Sequence, residues 1–201
     1  NRLGRVQPYM DLLKANQIPR VPREQLQQLL KDLKEEGNVV FKEKKYFAAG
    51  EYYTCALIVS KMLQTHHYVN INKDLLSTLF CNRAACCLKV DNYKTGVEDC
   101  DLALGMNENN VKAYYRKASA LKMLREHSAA LAVAQEGHQR AARMGKAAEV
   151  KDFIDLMKEI ESYLPERGPP ANVYRPAAAS NVPPQQQRQP VAPAPVEVKP
   201  K

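Results

Sequence analysis

The chain has 201 residues, 45% of them hydrophobic and 26% charged, with a formal charge of +8 at pH 7. That length holds one ordinary domain with segments to spare, and it contains no run of 18 apolar residues, so a membrane-spanning helix is not expected. The 30 basic side chains are mixed with 22 acidic ones instead of forming a block, so charge admits an acidic protein partner as readily as a nucleic acid.

Residues 1–21 read as a lead-in with one short helix, YMDLLKANQ, ended by the turn at Ile18 and Pro19. The opening NRLGRVQPYM lacks the charged end and apolar stretch of a secretory signal. A start at Asn1 without Met reads as an excised fragment. Pro22 then suits the start of a long helix through REQLQQLLKDLKEEGN. From here to Leu164 the chain is rich in Ala, Leu, Lys and Glu, with apolar residues spaced three and four apart, and strand signals are absent. The expected fold class is all-α.

Within residues 22–164 a frame recurs. Gly37, Ala84 in NRAACC and Ala118 in YYRKASAL align as small residues; Ala84 to Ala118 is 34 positions and Gly37 to Ala84 is 47, an excess of 13 around LQTHHYVNINKDLL. The first unit carries Leu33, Gly37, Ala49, Tyr53 and Ala56 as large, small, small, aromatic and small; the third carries Tyr114, Ala118, Leu121 and Ala130 likewise. Small residues at fixed intervals let paired helices approach closely, while large neighbours fill the gaps beside them. Beyond the third unit, Val150, Phe153, Ile154, Met157, Ile160 and Leu164 line one side of a helix that should cap the last pair. Residues 165–201 hold ten of the 13 prolines and no apolar periodicity, so a disordered tail is expected there. VPPQQQRQPVAPAP in that tail reads either as an extended ligand for a proline-reading domain or as a linker, the simpler choice.

The frame from Leu33 to about Met144 resembles the tetratricopeptide repeat, with NRAACCLKVDNYKTGVEDCDLAL matching its second unit throughout. Gly96, Cys100 and Glu108 depart from the alanine, aromatic and proline usual at their positions. The resemblance implies three helix pairs in a right-handed superhelical stack, a capping helix, and a concave groove lined by the first helix of each pair. In that groove Lys34 and Asn38 are four apart on one helix face, Asn82 lies on the second inner helix, and Lys112 and Arg116 are four apart on the third. These five residues resemble the two-carboxylate clamp of co-chaperone repeat domains. In that family the clamp holds the C-terminal carboxylate and last side chain of a Glu-Glu-Val-Asp tail on cytosolic heat-shock chaperones of the seventy- and ninety-kilodalton classes.

The chemistry suits that implication, because lysine and arginine donate to carboxylates and asparagine completes the shell without adding charge. Each residue taken singly has a plainer reading as a solvated lysine or as part of the common NRAA stretch; the case rests on the set in register. The lead-in, the insertion, NRAAC and AYYRKASAL also resemble the N-terminal repeat region of CCCH zinc-finger proteins, and immunophilin-type co-chaperones are equally possible parents. A scaffold in an RNA-regulatory complex and direct RNA binding are therefore the alternatives.

Five cysteines in helical patterns point to a reducing compartment, cytosol or nucleus. Cys81, Cys86 and Cys87 lack Cys-x-x-Cys spacing for zinc and read as core thiols. His127 and His138 sit in no triad pattern, and no glycine-rich phosphate loop occurs. No enzyme and no cofactor are expected. Tyr46, Tyr52, Tyr53, Tyr68, Tyr114 and Tyr115 read as core at repeat positions more than as stacking platforms for nucleic acid.

Overall fold

A computed structural model of the chain describes residues 22–66 and 69–164. The lead-in helix, Tyr68 and the proline-rich tail expected from the sequence lie outside the described residues. Those described form seven helices and no strand: α1 (Arg23–Lys42), α2 (Tyr46–His66), α3 (Lys73–Lys89), α4 (Tyr93–Met106), α5 (Val111–Met123), α6 (His127–Arg143) and α7 (Ala147–Glu161). None of these helices is long and apolar enough to cross a membrane. Helices α1 with α2, α3 with α4, and α5 with α6 are the three expected pairs, and α7 packs on α6.

The turns inside the pairs repeat with the sequence frame. Lys44, Asp91 and Arg125 each have φ near +60°, ending the first helix of their pair, and they are separated by 47 and 34 positions, as are the small anchors. A left-handed residue releases the last helical carbonyls to the amides of the turn. Here Glu126 N donates to Leu121 O and Asn92 N to Cys87 O, both at 2.9 Å, and Lys45 N to Val40 O at 3.2 Å. The same closure thus recurs in each unit. The entry to α3 is capped by Asn72, whose side chain accepts from Asp74 N at 2.7 Å.

Three apolar clusters carry the packing, the smallest made of Cys81, Ala103 and Ala113 on α3, α4 and α5. In the first, the stripe Leu26, Leu29, Leu30, Leu33 and Val40 of α1 meets Ala49, Tyr52, Tyr53, Ala56, Val59 and Leu63 of α2. In the second, Tyr114, Ala118 and Leu121 of α5 meet Ala130, Leu131 and Ala134 of α6 and Phe153, Leu156 and Ile160 of α7. At Gly137 α6 approaches its neighbours closely: a Cβ built there would run into the Phe153 ring and lie 2.7 Å from Tyr114 Cβ. At Gly96, one of the departures from the repeat, a Cβ would lie 2.6 Å from Leu88 Cδ1, the end of a side chain that would have to shift. On α7 the expected apolar face turns slightly. Ile154 is 37% exposed, whereas Leu156, absent from the expected stripe, is buried.

Between the clusters the middle pair is locked by polar contacts. Asp99 of α4, 1% exposed, accepts two bonds from Arg83 of α3, Nη2 to Oδ1 at 2.6 Å and Nε to Oδ2 at 2.9 Å. Arg83 Nη1 also donates to Thr54 Oγ1 on α2. This planar, doubly bonded geometry suits a guanidinium at a place where a lone charge would be costly.

Candidate functional site

The first helix of each pair supplies one segment of the site: α1, α3 and α5. Lys34 and Asn38 fall on α1, one turn apart, because the buried stripe of that helix takes Leu33, Gly37 and Val40 and leaves the flanking positions half-buried. Asn82 follows Cys81 on α3, and Lys112 and Arg116 lie a turn apart on α5.

Two contacts engage three of the five, Asn38, Asn82 and Arg116. Asn82 Nδ2 donates to Asn38 Oδ1 at 3.2 Å, tying α3 to α1. Arg116 Nη1 donates to the Cys81 carbonyl at 2.6 Å and meets Cys81 Sγ at 2.8 Å, tying α5 to the residue beside Asn82. Lys112, exposed, lies near enough for its charge to act on Cys81: burial pushes that thiol above its usual pKa, while Arg116 and Lys112 oppose the rise. Among the described residues, Lys34 and Lys112 make no ion pair or hydrogen bond. The place of Lys34 beside Asn38, and of Lys112 beside Arg116, follows from the turn of helix between them.

Two side chains outside the expected set hold this arrangement. Tyr53 of α2 reaches through the first pair, and its hydroxyl donates to Asn38 Oδ1 at 2.8 Å. Its ring passes where Gly37 has no side chain; a Cβ there would lie 2.8 Å from Tyr53 Cε1. Burial is the main cause of a hydroxyl pKa raised to about 12, so the group remains a donor at neutral pH. Cys81 is the second. Its thiol also approaches Asn110 Oδ1 at 3.9 Å, and Asn110 Nδ2 donates to Ser77 Oγ, whose hydroxyl donates to Ala103 O on α4. Tyr53 reads from the sequence as packing and Cys81 as a core thiol; both are buried, and both also face the polar site.

Arg116 keeps room around it. A cavity of about 450 Å³ lies against its side chain with Phe41, Leu88 and Tyr115, and one of about 410 Å³ is bounded by Lys112, Arg116, Tyr115, Glu149 and Asp152. Its hydrogen bonds to Cys81 use Nη1 alone, which leaves the Nη2 and Nε donors for an incoming acceptor. The arrangement is a cluster of amide and cationic donors suited to anionic oxygens.

All five cysteines are free thiols, and no group of metal-ligating side chains occurs among the described residues. His127 stacks on Tyr163 with ring centroids 5.0 Å apart. Tyr52, Tyr53 and Tyr114 are buried, while Tyr115 is 39% exposed.

No protein-family model matches the sequence. The chain is similar to the Hsp70/Hsp90 co-chaperone CNS1 of Saccharomyces cerevisiae, 33% identical over 131 residues that cover 65% of this chain and 31% of that protein. It is also similar to human zinc finger CCCH domain-containing protein 7B, 36% identical over 105 residues, 52% of this chain and 11% of that one. The chain thus spans about a third or less of the length of these relatives. Among solved structures it resembles the TPR2B domain of yeast Sti1, with a TM-score of 0.56, 21% identity, and coverage of 66% of this chain and 96% of that one. It also resembles the myosin chaperone UNC-45 of C. elegans, solved in complex with an Hsp90 peptide, with a TM-score of 0.54, 27% identity, and coverage of 66% and 13%. The described helices have the tetratricopeptide-repeat fold, and the sequence is similar to that of an Hsp70/Hsp90 co-chaperone.

Proposed function

We propose that this domain is a non-enzymatic adaptor whose inner groove grips the acidic C-terminal tail, ending in Glu-Glu-Val-Asp, of Hsp70 or Hsp90 chaperones. The observation that supports the reading is the pair of contacts Asn38 to Asn82 and Cys81 to Arg116, which tie together the three inner helices that carry the proposed donors. A relative that is an Hsp70/Hsp90 co-chaperone and a structural neighbour holding an Hsp90 peptide support the choice of ligand.

The peptide end carries two carboxylates, on the main chain and on the last side chain, and the site has two donor groups. Lys34, Asn38 and Asn82 form one, and Lys112 and Arg116 the other. Each charge-assisted bond is worth about 1.5 to 3 kcal/mol net. Ordering a flexible tail offsets much of that gain, so binding near −8 kcal/mol, a micromolar affinity, is expected. The domain would act in the cytosol or nucleus, where such tails and five free thiols are compatible.

Calorimetric titration with an acidic peptide ending in Glu-Glu-Val-Asp, and with the same peptide amidated at its C-terminus, tests the reading. Strong loss of binding on amidation supports it, and equal binding of the two retires it. A second reading, a scaffold of an RNA-regulatory protein that takes a different peptide, is favoured by the similarity to the CCCH protein. It predicts no preference for the free acid. Direct RNA binding, the third, would appear as saturable binding of a single-stranded RNA.

A further inference from the structure

We infer that Tyr53 is a positioning residue that makes the site selective for a carboxylate over a carboxamide, acting through the amide of Asn38. The inference rests on the clamp reading and deepens it. A carbonyl oxygen has two lone pairs, and both on Asn38 Oδ1 are engaged, one by the Tyr53 hydroxyl at 2.8 Å and one by Asn82 Nδ2 at 3.2 Å. The hydrogen-bonding groups left on Asn38 are the two hydrogens of Nδ2. Whatever ligand reaches this amide therefore meets donors alone.

A carboxylate, which only accepts, is satisfied there. A carboxamide brings N–H groups of its own, and one facing the Asn38 amide is left without an acceptor. A site built around one hydrogen-bonding pattern rejects the wrong partner chiefly because of groups left unpaired. An asparagine alone cannot enforce this pattern, because rotation about its last torsion exchanges oxygen for nitrogen. In this chain rotation would break both bonds to Oδ1 and set Nδ2 against the Asn82 Nδ2 donor, while the Tyr53 hydroxyl would have to turn its own hydrogen away to accept. The Tyr53 hydroxyl comes from a residue 2% exposed, whose ring is held against Gly37, so it has little freedom to follow the amide. Selectivity thus originates in a side chain that the packing of the first pair has already fixed.

The test compares affinities for the free-acid and C-terminally amidated Glu-Glu-Val-Asp peptides in the wild-type protein and in Tyr53→Phe, with Tyr114→Phe as control. Tyr114 is also buried and its hydroxyl donates to Glu136 Oε1 at 2.9 Å, away from the site. Removing the Tyr53 hydroxyl is expected to lower the preference for acid over amide by about 3- to 10-fold, the effect of one lost neutral hydrogen bond. Tyr114→Phe should leave the preference at the wild-type value. General loss of stability weakens both peptides alike and does not move their ratio. An unchanged ratio in Tyr53→Phe, with wild type still preferring the acid, overturns the role of Tyr53 and leaves the clamp standing. No preference in wild type overturns the clamp and this inference together. Should Tyr53→Phe lose its helical circular dichroism, the ratio is read for both proteins in a stabilising osmolyte that restores the helical signal: a ratio equal to wild type there is fatal to the inference, and a lowered one carries it.

Discussion

The two halves of the groove are built from different materials. On the α1 side two neutral amides stand beside the one cation Lys34, and both lone pairs of Asn38 Oδ1 are committed to Tyr53 and Asn82. On the α5 side the donors are cations; Arg116 is held through one nitrogen by a helical carbonyl and a thiol, and Lys112 is exposed. The amide half gains direction from burial, since its supporting hydroxyl belongs to the first apolar cluster. The cationic half gains strength from charge and keeps freedom of position. Fixed neutral dipoles discriminate between ligands, whereas mobile charges attract them without fine discrimination.

Breaking the element that both halves share should have the largest effect. Asp99→Ala leaves the Arg83 guanidinium half-buried without its partner, and about 3 to 5 kcal/mol of stability should be lost in denaturant titration, with both halves of the site failing together. Next, Arg116→Ala and Lys112→Ala should each weaken the free-acid peptide about 10- to 100-fold with the helical signal preserved; a parallel loss of helicity would contradict a role confined to binding. Gly37→Ala attacks the amide half from behind, because the new Cβ meets Tyr53 at 2.8 Å. It should cost about 1 to 3 kcal/mol of stability by overpacking and lower the preference for acid over amide, leaving the cationic half in place.

Smaller effects sharpen the comparison. Raising ionic strength screens charge, with a Debye length of about 10 Å at 0.1 M and about 3 Å at 1 M, so salt should weaken the wild-type domain markedly and the Lys112→Ala variant less. The smallest effect is alkaline. Tyr53 has a pKa of about 12 in the folded protein because of burial, against about 10 in the unfolded chain. Between those values the unfolded state releases a proton that the folded state keeps, so stability falls as pH rises through this window. Tyr53→Phe should flatten that slope in melting experiments between about pH 10 and 12.

Much of the fold was legible because the requirement for close approach leaves a compositional trace. Gly37, Ala84 and Ala118 stand at the frame positions, and all three are buried. The left-handed turn residues Lys44, Asp91 and Arg125 repeat the same intervals, although none is glycine and nothing in their identity announces the conformation. The apolar face of α7 was legible except at its edge: Val150, Phe153, Met157, Ile160 and Leu164 join the second cluster as expected, while Leu156 is covered in place of Ile154. In the site, Lys34, Asn38, Asn82, Lys112 and Arg116 could be singled out because charged and amide side chains at helical spacing are not needed for packing. Tyr53 and Cys81 could not, because an aromatic ring and a thiol are also what packing uses.

The sequence by itself determined that this chain pairs its helices, where each pair closes, and which polar residues lie on the inner helices, since all of these depend on periodicities within some tens of residues. The tertiary structure alone decided that the Tyr53 hydroxyl reaches Asn38 across 15 positions and that Arg116 rests on Cys81 across 35. Those contacts join different helices, and a hydrogen bond forms only when packing brings donor and acceptor to about 3 Å in the right direction.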